Sequence, residues 1–451
     1  MIYRILEFLL KVTVFFYFKE RQVSNRPSIP KGRPVMFVSN HPGAFMDPIV
    51  ITTFAKKSLY FIARGESFKN KFAAYFFKLI HMIPVYRKEE TPELTHKNKA
   101  VFGACSRHFE KGRAMLIFPE GTSKIEPRLR KVKSGAARIA LGAEAQNDFN
   151  LDLIIVPVGL NYSNPKDFRT NVHVNFGDPI KVSAYQAAYK KDSFVTSKTL
   201  TRDIETSIKA QMLLIEKEED DKVFEQIQSV YFKEMLDRLK VGKLTAEEEL
   251  TLKNEVITAI DFFKNKFPDL SIRLSQMLKE YSAKLKVVQS KYPMFDHKVV
   301  EGKTSLIANF IGGVFGFPLF IVGALFNYLP YRLVGYFTNR YTQRDDFTGA
   351  LRMVIGMFAF LFTYILFCIV GVNLISNWMI VAVIILLSPF LGLFSLVYLK
   401  MINRVKAELF FKKMILTENA SIKKILTLRV QIIEELEEAR LLYNKMEVNK
   451  N

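Results

Sequence analysis

The sequence predicts an α/β domain with a mostly central sheet, followed by a helical insert and C-terminal membrane helices. Short β-rich runs alternate with helical patterns between residues 30 and about 190. Residues 195–292 are charged and nearly free of Gly and Pro, whereas three long apolar runs follow residue 305. Alternating strands and helices are typical of an α/β layer. Apolar runs of about 20 residues are long enough to enter or span a bilayer.

The composition excludes several classes of protein. A chain of 451 residues with 49% hydrophobic residues is long enough for two or three folded units and is not disordered. Two cysteines are too few for a disulfide framework or a zinc cluster, and we expect no metal site. The net charge of +21 predicts an anionic partner: nucleic acid, a phosphorylated metabolite or an acidic lipid surface.

Residues 1–20 are apolar but include Arg4, Glu7 and Lys11, and no small-residue cleavage site follows them. This pattern favours a helix that lies in the membrane interface. An ordinary buried N-terminal helix is the alternative.

Residues 30–190 contain the predicted α/β domain. Helical patterns cover residues 67–80, 92–111 and 133–145. The predicted strands are residues 34–39, 58–63, 83–86, 114–118, 153–160 and 172–176.

Residues 195–292 are predicted to be a soluble insert of three or four amphipathic helices, in which Thr245 and Glu248 form a capping box. Residues 401–451 are predicted to be a cytoplasmic amphipathic helix, and its apolar stripe could mediate self-association. The stripe consists of Ile425, Leu428, Ile432, Leu436, Ala439, Tyr443 and Met446.

The membrane region is predicted to cover residues 305–400. Basic residues flank residues 354–399, so the positive-inside rule predicts a hairpin that starts and ends in the cytoplasm. Residues 306–329 either span the bilayer or re-enter it. Because Gly312, Gly313, Gly316 and Pro318 break helices, we expect a re-entrant pair of half-helices.

A histidine and an aspartate follow the first predicted strand of the α/β domain, in residues 39–48 (SNHPGAFMDP). Asp47 could hold one ring nitrogen of His41 protonated and leave the other free to take a proton from a hydroxyl. On their own, such pairs are more often structural than catalytic.

A second strand is followed by a tight turn in residues 117–123 (IFPEGTS), and then by a basic stretch that ends at Arg138. The backbone at Gly121 and Thr122 could approach a phosphate that nearby cations such as Lys133 neutralise. A solvated basic face is equally compatible with the charge pattern.

Two further segments lie between and after these motifs. Residues 81–87 (HMIPVYR) end in Arg87, which suits bidentate phosphate recognition but also a surface ion pair. Residues 155–160 (IVPVGL) are an apolar strand with internal Pro and Gly, which indicates a sheet edge or a place where a ligand approaches.

In this order and at this spacing, the four segments resemble the glycerophospholipid acyltransferase family, which includes glycerol-3-phosphate and 1-acylglycerol-3-phosphate acyltransferases. The resemblance covers about residues 30–190, and the FPEGT block is its most specific part. Five residues separate His41 from Asp47, whereas the family pattern has four. This spacing looks like a branch with extra hydrophobic C-terminal segments, and it favours glycerol 3-phosphate as the acceptor.

The resemblance implies an acyltransferase in which His41 is the general base and Asp47 orients it. Arg87, Glu120, Gly121, Thr122 and Lys133 would bind the substrate, although Glu120 could instead contact a hydroxyl or fix its loop. The donor would be an acyl-CoA or acyl carrier protein thioester, with no further cofactor and no covalent acyl-enzyme.

Three hypotheses follow: an acyltransferase of phosphatidic acid synthesis, a lipid acyltransferase of another specificity such as lysophospholipid remodelling, and a non-catalytic membrane scaffold that binds lipids. The co-occurrence of His41, Asp47, Arg87 and Glu120 favours an enzyme. Nucleic acid is not expected as a partner, because no recognisable nucleic-acid module is present. We expect an integral membrane protein whose active domain lies on the cytoplasmic face.

Overall fold

The computed structural model describes residues 2–68, 70–86, 98–291, 295, 306–375 and 377–448. The chain divides into two compact units. The first contains Met1–Leu214 and Val334–Phe358, and the second contains Ile215–Leu333 and Ala359–Asn451.

The first unit is built on a mixed sheet, to which the described residues contribute eight strands in the order β1-β7-β6-β2-β5-β3-β4, with β8 paired to β6. All strand pairs are parallel except those of β6 with β7 and with β8, which are antiparallel. The strands are β1 Glu20–Ser24, β2 Val35–Ser39, β3 Leu59–Arg64, β4 Met82–Val85, β5 Ala114–Ile117, β6 Ile154–Tyr162, β7 Asn171–Phe176 and β8 Ile180–Lys181.

Helices cover both faces of this sheet, as the predicted α/β class requires. Alternate residues of β2 point to opposite faces, so that Phe37 packs in one apolar cluster and Met36 in the other. The helices of this part are α1 Ile2–Tyr17, α2 Met46–Ala55, α3 Lys71–Leu79, α4 Asn98–Glu110, α5 Gly135–Gln146, α6 Gln186–Lys191 and α7 Ser193–Lys209.

The α/β domain extends further along the chain than predicted. Helix α7 was expected to open the insert, but Leu200, Ile204 and Ile208 are fully buried in the core beneath the sheet. The boundary between the units therefore lies at Ile215 and not near residue 195.

The second unit contains the helical insert and the C-terminal helix. Its helices are α8 Glu218–Val230, α9 Phe232–Arg238, α10 Ala246–Lys266, α11 Pro268–Lys291 and, at the end of the chain, α15 Ala420–Val448. The capping box of Thr245 and Glu248 opens α10. The stripe of α15 is largely buried: Ile425 and Ile432 are at most 1% exposed, and Tyr443 contacts Phe262 of the insert. Self-association through this stripe stays a prediction, and it would require that packing to open.

Three described helices are long and apolar enough to cross a membrane. They are α12 Leu306–Tyr341, α13 Asp345–Leu374 and α14 Trp378–Leu416. In the second unit the Asn327 amide joins all three, since it donates to the Ser388 carbonyl at 2.9 Å and accepts from the Tyr364 hydroxyl at 2.6 Å. Such interhelical hydrogen bonds stabilise helix association in lipid.

The expected division of residues 306–329 into two half-helices is wrong, because α12 is continuous through these residues. Its glycines instead allow close helix packing. A Cβ atom at Gly323 would lie 2.3 Å from the Leu391 carbonyl oxygen, and one at Gly316 would lie 3.1 Å from the ring of Phe394. Small residues at such contacts are typical of packed membrane helices.

Candidate active site

The two sequence motifs meet at one edge of the sheet. Strands β2 and β5 are parallel neighbours with Val38 opposite Ile117, so the loops that follow them leave the sheet side by side. The ring of His41 stacks on that of Phe118, with centroids 3.8 Å apart and an angle of 10° between the planes. The carboxyl edge of parallel strands is where α/β proteins bind ligands.

The His41–Asp47 pair is formed despite the five-residue spacing. Nδ1 of His41 lies 2.8 Å from Oδ2 of Asp47. The extra residue is accommodated by a tight turn, in which Ala44 adopts a left-handed conformation with φ 49° and α2 begins at Met46. This turn directs the first-turn Asp47 back towards the imidazole.

Asp47 is fully buried and is held as an acceptor on both oxygens. Oδ2 accepts from the backbone N–H of Gly43 at 2.8 Å, and Oδ1 accepts from the Tyr162 hydroxyl at 2.8 Å. With both oxygens of Asp47 acting as acceptors, the hydrogen bond between Asp47 and His41 places a proton on Nδ1 of His41. Nε2 is thereby the ring nitrogen available to a substrate.

The sequence alone does not indicate Tyr162 as a residue of the site. It ends β6, two residues after the IVPVGL segment, and no local pattern connects it with Asp47. Burial, together with the nearby charge of Asp47, raises the pKa of the Tyr162 phenol well above its usual range. The phenol therefore remains a hydrogen-bond donor to Asp47.

The carboxylate of Glu120 connects the two loops. Oε1 accepts from the backbone N–H of His41 at 2.8 Å, and Oε2 accepts from that of Arg130 at 3.1 Å. Burial raises its pKa to about 7, although these two hydrogen bonds act in the opposite direction. The contacts match the loop-fixing role; binding of substrate by Glu120 stays a prediction.

The turn after β5 presents groups suited to an anion. Gly121 has φ 74°, a conformation that glycine adopts readily, and Arg130 donates to the Thr122 hydroxyl at 2.8 Å. The basic stretch is partly neutralised within itself, because Glu126 forms ion pairs with Lys124, Arg128 and Arg130. Arg130 remains hydrogen bonded to Thr122, so its guanidinium lies at the turn.

Two other predicted residues are placed differently. Lys133 is exposed, and its backbone N–H donates to the Pro119 carbonyl at 2.9 Å, which anchors the basic stretch to the turn. Arg87 lies outside the described residues, so its predicted phosphate contact stays a prediction.

The IVPVGL segment is not a sheet edge, and an approach of a ligand to it stays a prediction. Strand β6 lies between β2 and β7, and a Cβ atom at Gly159 would lie 1.9 Å from the Gln211 carbonyl oxygen. The glycine is required by the close passage of the chain after α7. The segment also supports the site, since the buried Asn40 side chain bonds the backbone of Leu160 at 2.7 and 3.0 Å.

With this geometry in view, residues 20–161 match the family model described as Acyltransferase. This segment is similar to the acyltransferase family. The match contains His41, Asp47, Glu120 and the turn at Gly121, and it ends one residue before Tyr162.

Two of the curated relatives are similar over about half of this chain, and a third over a fifth of it. Glycerol-3-phosphate O-acyltransferase 2 of Saccharomyces cerevisiae is 29% identical over 209 residues, which are 46% of this chain and 26% of the relative. Glycerol-3-phosphate O-acyltransferase 1 of the same yeast is 26% identical over 48% of this chain and 27% of its own length. An uncharacterized acyltransferase of Schizosaccharomyces pombe is 33% identical over 91 residues, which are 20% of this chain and 13% of the relative. The chain thus spans about a quarter of the two Saccharomyces relatives.

A solved structure is also similar, the 1-acyl-sn-glycerophosphate acyltransferase of Thermotoga maritima. It is 17% identical and covers 45% of this chain and 78% of its own, with a TM-score of 0.32.

Proposed function

We propose that the protein is a membrane-bound O-acyltransferase that moves a fatty acyl group from an acyl thioester to a hydroxyl of a glycerol phosphate. The observation that supports this most directly is the His41–Asp47 pair. It is buried on its Asp47 side and lies beside the turn at Gly121 and Thr122.

In this proposal Nε2 of His41 takes the proton of the acceptor hydroxyl while its oxygen attacks the thioester carbonyl carbon. The tetrahedral intermediate collapses and the carbon–sulfur bond breaks. His41 returns the proton to the sulfur, which leaves as a thiol. Asp47 stabilises the imidazolium between these steps and keeps Nδ1 protonated. The reaction uses no further cofactor, and its donor is an acyl-CoA or an acyl carrier protein thioester.

Direct attack by the acceptor is favoured because the other nucleophilic side chains near the strands are buried. Cys105 is fully buried, and burial raises the pKa of its thiol to about 12, so that it is not a thiolate near neutral pH. Ser39 is also fully buried, and its hydroxyl faces the Asn40 amide at 3.4 Å and not the imidazole. Neither is suited to form an acyl-enzyme.

The acceptor phosphate would lie at the turn after β5. Gly121 and Thr122 provide a glycine backbone and a hydroxyl at this turn, and Arg130 brings a cation to the Thr122 hydroxyl. Lys133 and Arg87 are the further cations that the sequence assigns to this phosphate.

We propose glycerol 3-phosphate as the acceptor, with 1-acylglycerol 3-phosphate as the alternative. The two Saccharomyces relatives are named for glycerol 3-phosphate and are similar over 46% and 48% of this chain. A purified full-length protein in lipid nanodiscs, supplied with labelled acyl-CoA and one acceptor at a time, tests this choice. We expect kcat/KM for glycerol 3-phosphate to exceed that for 1-acylglycerol 3-phosphate, and the reverse order would assign the alternative.

Variants connect any activity with the proposed site. Asp47→Asn, which weakens the hold on Nδ1 of His41, should lower kcat strongly in this assay. His108→Ala is a matched control, because this imidazole packs against Tyr60 near the amino ends of β3 and β5, at the opposite edge of the sheet. An unchanged rate in Asp47→Asn would remove the pair from the mechanism.

We also propose that the active domain lies on the cytoplasmic face and that α12 re-enters the bilayer without crossing it. Against α14, Gly312 lies beside Met401 and Asn327 bonds Ser388, so these two helices run antiparallel. Short connections join α12 to α13 and α13 to α14, and Gly371 of α13 lies beside Val381 of α14. A hairpin of α13 and α14 starts and ends on one side of the bilayer. In this proposal α12 returns to that side after Asn327, and Pro330, inside α12, is a residue at which a helix can kink.

A further inference from the structure

The first turns of α13 pack on the α/β domain, although more than 180 residues of sequence separate them from its strands β2 and β5. The Tyr17 hydroxyl donates to the Gly349 carbonyl at 3.2 Å, and Ala350 and Met353 are buried in the same apolar cluster as Phe37. A Cβ atom at Gly349 would lie 1.8 Å from the Pro165 carbonyl oxygen. This stretch of a membrane helix is therefore an integral part of the first unit.

Two consecutive side chains of this stretch contact both loops of the candidate site. The Ser123 hydroxyl, directly after Thr122, donates to Oδ2 of Asp346. The ring of Phe347 packs edge-on against that of Phe45, which lies between His41 and Asp47, with centroids 5.8 Å apart. One helix turn thus bridges the loop after β2 and the loop after β5.

Arg344, two residues before Asp346 in the chain, compensates the buried charge of Asp346. Asp346 is 8% exposed, and Arg344 donates to its two oxygens at 2.7 and 3.1 Å while it lies over the Phe347 ring. A buried carboxylate with a cation and a hydroxyl donor is fixed in one orientation. Ser123 is held by a rigid acceptor.

We propose that Asp346 is a positioning residue of the acceptor site, through which the membrane helix α13 fixes the turn at Gly121–Ser123. This inference rests on the proposed function, because the turn is assigned to the acceptor phosphate there. Without Asp346, the hydroxyl of Ser123 loses its acceptor and the turn can rotate away from the phosphate.

The test compares Asp346→Ala with Asp345→Ala in the full-length protein. Asp345 is the matched control, because the neighbouring carboxylate pairs with Lys166 at the surface and does not contact Ser123. We expect Asp346→Ala to raise KM for the glycerol phosphate roughly tenfold, as loss of a hydrogen bond to a charged group implies, with KM for acyl-CoA unchanged. Asp346→Asn, which retains an acceptor oxygen for Ser123, should recover most of that loss.

Two further measurements keep the proposal falsifiable where Asp346→Ala is unstable or activity is absent. Ser123→Ala should raise KM for the acceptor equally, and the double variant should show no additional loss. Hydrogen exchange of peptides covering residues 118–124 should accelerate in Asp346→Ala but not in Asp345→Ala. Additive losses, or exchange equal to that of the control, would overturn the positioning role. Absence of acyl transfer by the wild type would instead contradict the proposed function, and the exchange measurement would still decide the role of Asp346.

Discussion

Asp47 has the most constrained environment among the residues of the candidate site. Its two oxygens accept three hydrogen bonds or ion-pair contacts, from His41, Gly43 and Tyr162, and the side chain has no exposed surface. The orientation of the His41 imidazole therefore depends on groups from the loop after β2 and from the end of β6. Each of these groups can be changed separately.

Removal of the Tyr162 hydroxyl should weaken catalysis without a change in substrate affinity. Tyr162→Phe leaves Oδ1 of the buried Asp47 without its donor, and a hydrogen bond to a charged group is worth about 1.5–3 kcal/mol. We expect kcat to fall roughly tenfold or more, with both KM values unchanged. Tyr185→Phe is the control, because that hydroxyl donates to Asp203 away from the site at 2.7 Å. Equal rates in the two variants would contradict the role of Tyr162.

Glu120 should make stability depend on pH near neutrality. Its pKa is raised from 4.5 to about 7 by burial, so between these values the native protein keeps a proton that the unfolded chain has released. Stability therefore decreases as the pH rises from about 4.5 to 7, and the loss is complete above 7. The separation between the two pKa values corresponds to about 3 kcal/mol.

Glu120→Gln removes this titration and so isolates it. Thermal melts of the detergent-purified wild type and variant, taken between pH 5 and 8, should show the wild type losing melting temperature relative to the variant as the pH rises. A difference in melting temperature between the two proteins that does not change with pH would show that burial does not raise the pKa of this carboxyl group.

At the scale of elements, the loop between β2 and α2 determines whether the extra residue of the histidine motif is tolerated. Its turn requires Gly43, since a Cβ atom there would lie 2.6 Å from Oδ1 of Asp47, which is held in place by its donors. Displacement of a catalytic group by about 1 Å can reduce a rate about 10²-fold.

We therefore expect Gly43→Ala to lower kcat about 10²-fold while the protein remains folded. Gly142→Ala is the matched control, because a Cβ atom there meets open space and alanine is the better helix former. Steady-state kinetics and melting temperatures of both variants check this. Full activity in Gly43→Ala would show that the loop can accommodate a Cβ atom at this position without displacing Asp47.

The sequence predicted six of the strands, because apolar runs between helical patterns are a strong local signal. It did not indicate β1, whose residues Glu20–Ser24 contain a single strongly strand-forming residue, Val23. The pairing of β1 with β7 supplies what the local composition lacks.

The candidate site was predicted in part for a similar reason. His41 and Asp47 are close in the sequence, and Glu120 lies in a recognisable turn. Tyr162 and Asp346 reach the site from β6 and α13, so only the tertiary structure brings them there. Contacts over such separations leave no periodic or local pattern.

At the scale of the whole molecule, the proposed topology predicts which positions share a face of the membrane. Gln343 lies between α12 and α13, Asn309 near the start of α12, and Leu374 at the end of α13. If α12 re-enters, Gln343 and Asn309 lie on the side of the active domain and Leu374 lies on the other.

Single cysteines at these three positions can be labelled with a membrane-impermeant maleimide in sealed vesicles. The background is Cys368→Ser, since Cys368 is exposed and Cys105 is buried. We expect Gln343→Cys and Asn309→Cys to be labelled from one side and Leu374→Cys from the opposite side. Labelling of Asn309→Cys together with Leu374→Cys would show that α12 crosses the bilayer.

Several of the basic residues behind the net charge of +21 lie at the proposed phosphate turn or at the start of α13. Arg130 and Lys133 lie at or next to the turn proposed for the phosphate. Arg344 pairs with Asp346 within the start of α13, and Arg352 donates to the Lys166 carbonyl of the domain. The excess of basic residues thus fits the chemistry of phospholipid precursors at a membrane surface.

The most direct test of the central claim is transfer of a labelled acyl group from acyl-CoA to glycerol 3-phosphate by the full-length protein, compared with His41→Ala. General-base catalysis contributes about 10²–10⁴-fold, so we predict a loss of that size in the variant with its melting temperature retained. A wild type that transfers no acyl group to any glycerol phosphate, or a His41→Ala variant as fast as the wild type, would contradict the account.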